Sequence, residues 1–302
     1  MILRTLLYVP ANSWRMINTA ATEVQDGVLI DIEDACPIAE KETGRIFARD
    51  SVSLFKEKGY DVFTRVNAFE TELLEEDLKY VVTNGLDGIM LPKSETAEDI
   101  KKLEKLLEAE EKKKKLDAKS VKIIALIESP LGVANVSEII AASDRVVGVG
   151  FGAGDYSREI GAGMGVSKLS PEELFVMSHY PKAKIALAAR AAGIEAFDTP
   201  FAGMVIDTKG LVDQTWKAKL MGFTGKQLVH PRHVEPVNAV FTPAEDDLKF
   251  AKQVIELYEE AKAKGLGATT FGGRMIDFGS YKRAMNLLKN AELIEEKVKA
   301  RS

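Results

Sequence analysis

The sequence predicts an α/β protein, a (β/α)₈ TIM barrel with a C-terminal helical extension, and three observations carry that prediction. Short β-rich runs alternate with longer helical segments, the runs number eight, and no G-x-G-x-x-G motif opens the first helix. That motif would favour the structural alternative, an open doubly wound sheet. The 302 residues also suit a single α/β barrel, which often has about 250. We expect the barrel over residues 1–240 and the extension, as a lid, over residues 241–302.

The eight predicted strands are near-continuous apolar runs, as the buried strands of a parallel sheet require. Helical segments with turn residues at their ends separate them, for example from about Trp14 and over residues 39–57. The predicted strands, in order, are LRTLLYVP (3–10), GVLIDIED (27–34), DVFTRVNA (61–68), GIMLPK (88–93), KIIALIES (122–129), VVGVGFG (146–152), EAFDTPF (195–201) and KQLVHP (226–231).

The segments after the eighth strand do not continue the repeat. PAEDDLKFAKQVIELYEEAKAKG (243–265) predicts an amphipathic helix, GLGATTFGGRMIDFG (265–279) follows, and a last helix begins at about Ser280. Within the barrel, the lysine-rich run EAEEKKKKLDAKS (108–120) is typical of the solvated end of a long helix.

Composition limits the classes of function. Hydrophobic residues make up 46% of the chain and the formal net charge is −5, which gives no indication of a nucleic-acid partner. No apolar run reaches the roughly 18 residues that a membrane span needs. The single cysteine, Cys36, excludes an internal disulfide and fits a reducing compartment. The N-terminus is better interpreted as a strand than as a signal peptide, so we expect a soluble cytoplasmic protein.

Polar residues follow the predicted strands at the end where barrel enzymes place their catalytic groups. Glu128 ends the apolar run IIALI, and a carboxylate there must be hydrated, paired or metal-bound. Asp155, in GAGD, lies on the loop after the next strand. Two carboxylates on adjacent loops, without clustered His or Cys, favour a hard cation such as Mg²⁺. The alternative for Glu128 is a salt bridge to an Arg or Lys of a neighbouring strand.

Arg65 is the only charge in DVFTRVN after the first residue. Its guanidinium could clamp a carboxylate or an enolate oxygen. The alternative is a structural ion pair with Glu33 or Asp34. Lys93 is open to two interpretations, a Schiff-base nucleophile or an ion pair near the metal site. His230 is best interpreted as a packed or hydrogen-bonded residue.

Ten motifs then occur in an order that resembles the citrate lyase beta subunit family, which includes malyl-CoA and citramalyl-CoA lyases. The match covers nearly the whole chain, from about Leu3 to the final helix. The motifs are LLYVPANSWRM, VLIDIEDACPIAEK, TRVNA, GIMLPK, ALIESPLGVANV, GAGDY, LAARAAGIEAFD, GFTGKQLVHPRHVEPVN, FTP and GGRMID.

The resemblance implies a TIM barrel in a homotrimer or a pair of trimers, with Mg²⁺ as the cofactor. It implies reversible carbon–carbon cleavage of a 3-hydroxyacyl-CoA thioester, such as malyl-CoA or citramalyl-CoA, to acetyl-CoA and a 2-keto acid. Carried onto this chain, Glu128 and Asp155 are the metal ligands. Arg65 takes the place of the arginine that faces the thioester carbonyl and the enolate. Asp277, in GGRMID, reaches a neighbouring subunit's site as the acid/base. The alternative for that motif is a plain turn before the last helix.

The chain departs from the family pattern at the carrier contact. Family members often have Gly, Pro and Lys within V-P-G-N-x-P-R-x-x-x-K, where this chain has Ala11, Trp14 and Thr19. That lysine helps to hold the CoA phosphates, so Arg15 and Lys41 remain as the basic candidates for cofactor binding.

The metal loop departs as well, since GAGDY replaces the G-x-E-D of many members. This leaves Asp155 with less negative charge beside it.

Three other functions stay open. The first is the beta subunit of a citrate lyase, which cleaves a citryl group on an acyl carrier protein and needs the alpha and gamma subunits. The second is a non-catalytic barrel subunit, disfavoured because all four proposed catalytic and metal residues are present. The third is aldol cleavage of a free 2-keto-4-hydroxy acid, and that sister group commonly lacks the C-terminal motif.

Overall fold

A computed structural model of the chain describes residues 2–162 and 170–301, and it contains a closed barrel of eight parallel strands. Each strand pairs with the next along the chain, and the eighth returns to the first through pairs such as Thr5 with Lys226. The predicted fold class is therefore confirmed. The strands are β1 (Thr5–Pro10), β2 (Gly27–Asp31), β3 (Asp61–Arg65), β4 (Gly88–Leu91), β5 (Lys122–Ile127), β6 (Val146–Phe151), β7 (Glu195–Asp198) and β8 (Gly225–Leu228).

Most strands end earlier than the sequence predicted. Strand β2 ends at Asp31 and β5 ends at Ile127, so Glu33, Asp34 and Glu128 lie in the loops that follow. An apolar run predicts a strand as far as its first polar residues, but ladder pairing stops where the backbone turns toward the next helix. The polar residues consequently lie around the mouth of the barrel, on loops, where side chains can converge on a ligand.

Helices follow the strands as the repeat requires. The helices of the barrel are α1 (Trp14–Ala20), α2 (Lys41–Glu57), α3 (Leu74–Val81), α4 (Ala97–Lys114), α5 (Pro130–Ala141), α6 (Ala153–Glu159), α7 (Pro171–Ala192), α8 (Thr208–Met221) and α9 (Val234–Phe241). Several begin with side-chain caps, which satisfy backbone N–H groups of the first turn that have no partner within the helix. In α4, for example, the Thr96 hydroxyl accepts from the Asp99 N–H, and the Asp99 carboxylate accepts from the Thr96 N–H.

Apolar side chains fill the interior of the barrel. A buried cluster takes side chains from the strands and from the residue that precedes the first strand, as the interior of a small closed barrel must be packed. Its members are Leu3, Leu6, Leu29, Phe63, Met90, Ile124, Leu126 and Phe197. Phe63 and Phe197 are fully buried, and they occupy the volume of the cluster that smaller side chains would leave empty.

The remaining described residues, Ile2 and residues 240–301, form a second compact unit. It contains α10 (Glu245–Ala263), the strands β9 (Ala268–Phe271) and β10 (Arg274–Asp277), and α11 (Phe278–Lys299). Its own core joins the two helices and the hairpin through Val254, Tyr258 and Ile276. The predicted boundary between residues 240 and 241 stays a prediction, since compactness does not test whether a unit is a separate domain.

The hairpin of β9 and β10 was missed in the sequence. Its antiparallel strands are joined by Gly272 and Gly273, whose φ angles are +55° and +77°. A two-residue hairpin turn with both φ angles positive is the geometry that glycine tolerates best. Among the described residues, no helix is long and apolar enough to cross a membrane.

We predict that Gly88→Ala destabilises the barrel. A Cβ at this position would lie 2.6 Å from the Lys122 carbonyl oxygen and 2.8 Å from Cε1 of Phe63. Either the β4–β5 pairing or the phenyl ring of Phe63 must therefore shift. Overpacking of this kind costs about 1–3 kcal/mol in the free energy of unfolding. Urea denaturation followed by circular dichroism measures it. Gly267→Ala is the control, because no atom lies within 4 Å of its added Cβ. Equal midpoints for both variants would show that the strands adapt.

Candidate active site

A cavity of about 390 Å³ opens at the mouth of the barrel, where the carboxyl ends of the strands meet. That volume lies in the range of small-molecule sites, and the position is the one that TIM-barrel enzymes use. The lining residues are Tyr8, Pro10, Asp31, Asp34, Ala35, Arg65, Leu126, Glu128, Gly152, Ala153, Gly154, Thr199, Pro200, Gln227 and Val229.

Arg65 is held in a fixed orientation at this mouth. Its Nε donates to Asp31 Oδ1 at 2.8 Å and its Nη2 donates to Asp31 Oδ2 at 2.6 Å, a bidentate fork between neighbouring strands. Nη1 lies 2.8 Å from Glu33 Oε2 and 3.7 Å from Asp34 Oδ2. The guanidinium also stands 4.8 Å from the ring centroid of Tyr8, within cation–π range. The ion pair that the sequence offered as the alternative is therefore present, on a residue that also lines the cavity.

Glu128 is buried at the cavity wall, with 5% of its surface exposed. Its Oε2 accepts from the backbone N–H of Lys93 at 3.1 Å. Lys93 has a φ of +48°, a left-handed conformation that costs a non-glycine residue about 1 kcal/mol or more. The strained backbone thus turns an N–H toward the carboxylate. Within the described part of the chain, no Lys, Arg or His forms an ion pair with Glu128, so the predicted alternative of a salt bridge is not what the structure shows.

Burial, together with the nearby Glu33 carboxylate, raises the pKa of Glu128 to about 7, although the Lys93 N–H and Arg65 act in the opposite direction. Burial also raises the pKa of Glu33 to about 7 against the lowering effect of Arg65. A buried carboxylate without a cationic partner is costly, because its charge has lost the stabilisation that water supplies. The donor set at this wall consequently fits a hard cation, which would supply the missing positive charge.

Asp155 lies in the first turn of α6, and its carboxylate pairs with Arg158 one turn later. Gly152, Ala153 and Gly154 line the cavity, so the chain immediately before Asp155 forms part of the wall. The described residues contain no group of three or more His, Cys, Asp or Glu side chains placed to hold a metal ion. Asp155 itself is not among the residues that line the cavity with Glu128. Mg²⁺ needs only one or two carboxylates, since water and substrate oxygens complete its octahedron.

A buried ion triad supports the opposite wall. Asp198 accepts from Lys226 Nζ at 2.5 Å through Oδ2, and its Oδ1 lies 2.8 Å from Lys182 Nζ. Lys226 donates a further hydrogen bond to the carbonyl of Thr199 at 2.7 Å. The Thr199 hydroxyl in turn accepts from the Ala153 N–H at 3.3 Å. The triad therefore fixes a lining residue that contacts the loop of Asp155.

The other predicted residues lie in different settings. Arg15 is exposed on α1, and Lys41 is buried at the start of α2. His230 accepts from the Arg232 N–H through Nδ1 at 3.1 Å, which agrees with a hydrogen-bonded structural residue. Asp277 belongs to the unit of residues 240–302, where it caps α11. Its Oδ1 accepts from the Ser280 N–H at 2.8 Å, and that hydrogen bond holds the pKa of Asp277 below its usual value.

Sequence reasoning missed three residues that shape the cavity. Asp31 was hidden inside the apolar run GVLID, although a charge at the carboxyl end of a buried strand is a detectable signal. Tyr8 and Gln227 face each other within the barrel, and the Tyr8 hydroxyl donates to Gln227 Oε1 at 2.8 Å. Gln227 Nε2 donates to the Phe151 carbonyl at 3.1 Å. No local pattern marks them, since their partners are distant in sequence.

Comparisons with known proteins find similar proteins over nearly the whole chain. A sequence model described as HpcH/HpaI aldolase/citrate lyase matches residues 4–231. The citrate lyase subunit beta of Leuconostoc mesenteroides subsp. cremoris is 35% identical over 95% of this chain and 93% of that protein. The L-malyl-CoA/beta-methylmalyl-CoA lyase of Cereibacter sphaeroides (strain ATCC 17025) is 30% identical over 96% of this chain and 95% of that protein. The crystal structure of CitE from Mycobacterium tuberculosis, in complex with magnesium, acetoacetate and coenzyme A, is similar with a TM-score of 0.74. It is 26% identical and covers 96% of this chain and 98% of that chain.

We predict that Asp198→Asn strongly destabilises the barrel at neutral pH, because two buried ammonium groups lose their carboxylate. Breaking a buried ion pair costs about 3–5 kcal/mol. Burial already lowers the pKa of Lys226 to about 8, and Asp198 opposes that lowering. In the variant Lys226 therefore sheds its proton at lower pH than in the wild type, so the folded variant binds fewer protons. The stability difference between the two proteins should consequently shrink as pH rises from 6 to 9.

Urea unfolding at several pH values measures this difference. Asp213→Asn, which removes the partner of the exposed Lys209, is the control and should cost less than about 1 kcal/mol at every pH. A pH-independent difference for Asp198→Asn would contradict the role given to Lys226.

Proposed function

The chain belongs to the HpcH/HpaI aldolase/citrate lyase family, and from that premise we propose that it is a Mg²⁺-dependent carbon–carbon lyase. Its substrate is a 3-hydroxyacyl-CoA thioester such as malyl-CoA or citramalyl-CoA, which it cleaves reversibly to acetyl-CoA and a 2-keto acid. One observation carries the proposal: Arg65, oriented by Asp31, shares a cavity with the buried carboxyl group of Glu128. Two similar proteins support it, the lyase of Cereibacter sphaeroides and the CitE protein that was crystallised with magnesium, acetoacetate and coenzyme A.

A second candidate is the beta subunit of a citrate lyase, which acts on a citryl group held by an acyl carrier protein. The observation in its favour is the higher identity to a citrate lyase subunit beta, 35% against 30% for the malyl-CoA lyase. Both candidates use the same bond cleavage. They differ in the carrier of the thioester and in the need for partner subunits.

Arg65 stabilises the enolate that carbon–carbon cleavage leaves on the thioester. An arginine has five N–H donors, and Asp31 accepts from two of them, which leaves donors for an oxygen in the cavity, while Nη1 lies 2.8 Å from Glu33 Oε2 as an ion pair. The fork to Asp31 fixes the guanidinium before substrate arrives. Stabilisation by a group that need not reorganise during the reaction is the most effective kind.

Glu128 and Asp155 would hold the Mg²⁺ ion. When bound, the ion would stabilise the negative charge that develops on the hydroxyl and carboxylate oxygens of the keto-acid half. Glu128 contributes a carboxylate whose second partner is a fixed backbone N–H, so its position does not depend on the ion. The Arg158 side chain pairs with Asp155 and is itself exposed, so it can move aside at little cost.

Asp277 transfers the proton at the carbon next to the thioester. In the condensation direction a carboxylate removes a proton from the acetyl methyl group, and in cleavage the enolate carbon regains it. Asp277 is ionised at neutral pH, as a base must be, and the hydrogen bond from Ser280 holds its pKa below the usual value. The site that it serves is that of a neighbouring subunit in a homotrimer. Arg15, exposed on α1, is the basic candidate for the carrier phosphates.

A substrate panel tests the function. Purified protein with Mg²⁺ is incubated with malyl-CoA, citramalyl-CoA and citryl-acyl carrier protein, and the release of acetyl-CoA or acetyl carrier protein is followed. We expect turnover of a CoA thioester that EDTA abolishes and added Mg²⁺ restores. Turnover of the citryl carrier protein alone would establish the second candidate. No turnover with any thioester would refute both candidates and leave a non-catalytic barrel or aldol cleavage of a free 2-keto-4-hydroxy acid.

Glu128→Gln identifies the metal site within the same assay. Gln keeps the shape of Glu but removes the charge, so both Mg²⁺ affinity, measured by calorimetry, and turnover should fall. The loss should be at least about 100-fold, since even groups that only support a metal ligand contribute ~10–100-fold. Glu108→Gln, an exposed position on α4, is the control. Unchanged Mg²⁺ affinity in Glu128→Gln would refute the assignment.

Asp277→Asn separates proton transfer from capping. Asn caps a helix about as well as Asp, so the melting temperature should hardly change. If Asp277 transfers the proton, kcat should fall by on the order of 10²–10⁴, with Mg²⁺ affinity intact. Asp207→Asn is the matched control, because Asp207 caps α8 through the same contact, with the Gly210 N–H at 2.9 Å. Full activity in Asp277→Asn would show that the residue only ends a turn.

A further inference from the structure

The ammonium group of Lys41 is fully occupied inside the protein. It donates to the carbonyl of Ile32 at 2.5 Å, to the carbonyl of Glu33 at 2.8 Å and to Asn67 Oδ1 at 2.7 Å. Lysine has three N–H donors, and these are three acceptors. The residue is 8% exposed. A phosphate on a carrier would have to displace one of these buried contacts.

The third acceptor is itself fixed from behind. The backbone N–H and the side-chain amide of Asn67 both donate to Asp77 Oδ2, at 2.8 and 2.7 Å. Asp77 is fully buried, and its Oδ1 accepts from Arg45 Nε at 2.7 Å. The Asn67 amide therefore cannot rotate without breaking a charged hydrogen bond, and its oxygen stays directed at Lys41.

The two carbonyl acceptors belong to the loop that carries Glu33. Asp31 holds this loop by its N–H groups, since its two oxygens accept from Glu33 N–H at 3.0 Å and Ala35 N–H at 3.2 Å. Lys41 holds the same loop by donating to the carbonyls of Ile32 and Glu33. The loop is thereby tied on both sides, and the Glu33 carboxylate at its centre lies 2.8 Å from Arg65 Nη1.

We propose that Lys41 is a positioning residue of the active site, which holds the β2–α2 loop so that Glu33 and Asp31 together orient Arg65. This role differs from the carrier contact that the sequence indicated for Lys41, and it rests on the proposed function of Arg65. A lysine suits it because three convergent donors on one atom can join two loop carbonyls to a side chain on the next strand's loop. An arginine, with a planar fork of donors, cannot reproduce that arrangement.

The positioning role makes a kinetic prediction that separates it from phosphate binding. Lys41→Met keeps the length of the side chain and removes its donors. If Lys41 orients Arg65, kcat should fall about 10–100-fold, as displacement of a catalytic group by about 1 Å does. The loss should be equal for the CoA thioester and for the matching pantetheine thioester, which lacks the nucleotide phosphates. If Lys41 binds the carrier, KM should rise for the CoA thioester only.

Three further variants keep the proposal testable if Lys41→Met folds poorly. Asn67→Ala carries no change of charge, yet it removes an acceptor of Lys41, so it should reproduce the fall in kcat with both substrates. Arg15→Met should show the opposite pattern, a KM effect confined to the CoA thioester. Lys58→Met, the same substitution at the exposed end of α2, should alter neither constant.

Hydrogen exchange provides a readout that does not depend on lyase activity. Amide exchange in residues 31–36 should quicken in Lys41→Met, because the loop carbonyls lose their donor, and to a smaller extent in Asn67→Ala, because Lys41 loses the side-chain acceptor that helps to hold it in place. Faster exchange with an inactive wild type would support the positioning of the loop and refute the proposed function instead. Exchange at the wild-type rate in both variants, or a defect limited to the CoA thioester, would overturn the proposal.

Discussion

The arrangement of the barrel mouth depends on one interaction, the bidentate pairing of Arg65 with Asp31 across β2 and β3. Both side chains are nearly buried, and a buried charge without a partner is among the costliest defects that a folded protein can contain. Because the two strands are paired in register, with Asp31 opposite Arg65, the contact is set by the ladder itself. Asp31 also accepts two N–H groups of the following loop, so the same carboxylate that orients the guanidinium shapes the loop that carries Glu33.

Much of the fold could be predicted from the sequence because the barrel repeats one physical pattern. A strand buried on both faces must be apolar throughout, and eight such runs separated by amphipathic segments leave few alternatives. The hairpin at Gly272–Gly273 could not be predicted in the same way. Its strands have four residues each, too few for an alternating pattern to be distinguished from a loop. The lysine-rich run 108–120 was expected to be solvated, but one of its residues is not. Glu111 is buried and pairs with Arg145 at 2.7 Å.

The site could be predicted only where a residue type conflicts with its neighbourhood. Glu128 after five apolar residues and Arg65 within an otherwise uncharged run are such conflicts, and both line the cavity. The contacts that hold Glu128 and Arg65 in place produce no such conflict in the sequence. The N–H of Lys93 reaches Glu128 through a backbone conformation, and the role of Lys41 depends on Asn67, which lies 26 positions away. Contacts that the chain makes only after folding cannot be predicted from local composition, even where residues such as Glu128 and Arg65 conflict clearly with their neighbours.

The charges of the cavity bear on the cation that the proposed function requires. The lining residues include three carboxyl groups, those of Asp31, Asp34 and Glu128, and one guanidinium, that of Arg65. Arg65 is already balanced by Asp31 and Glu33, so it offers hydrogen bonds more than net charge. An anionic keto-acid half would meet a wall of its own sign, and Coulomb repulsion between groups about 4 Å apart costs about 4 kcal/mol near a protein surface. Under the proposed function, a divalent ion at Glu128 would reverse that sign locally. The resemblance implies a second acid in the metal loop where this chain has glycine, in GAGDY. The glycine would remove one possible ligand of the ion, and it would also leave less negative charge beside an anionic substrate.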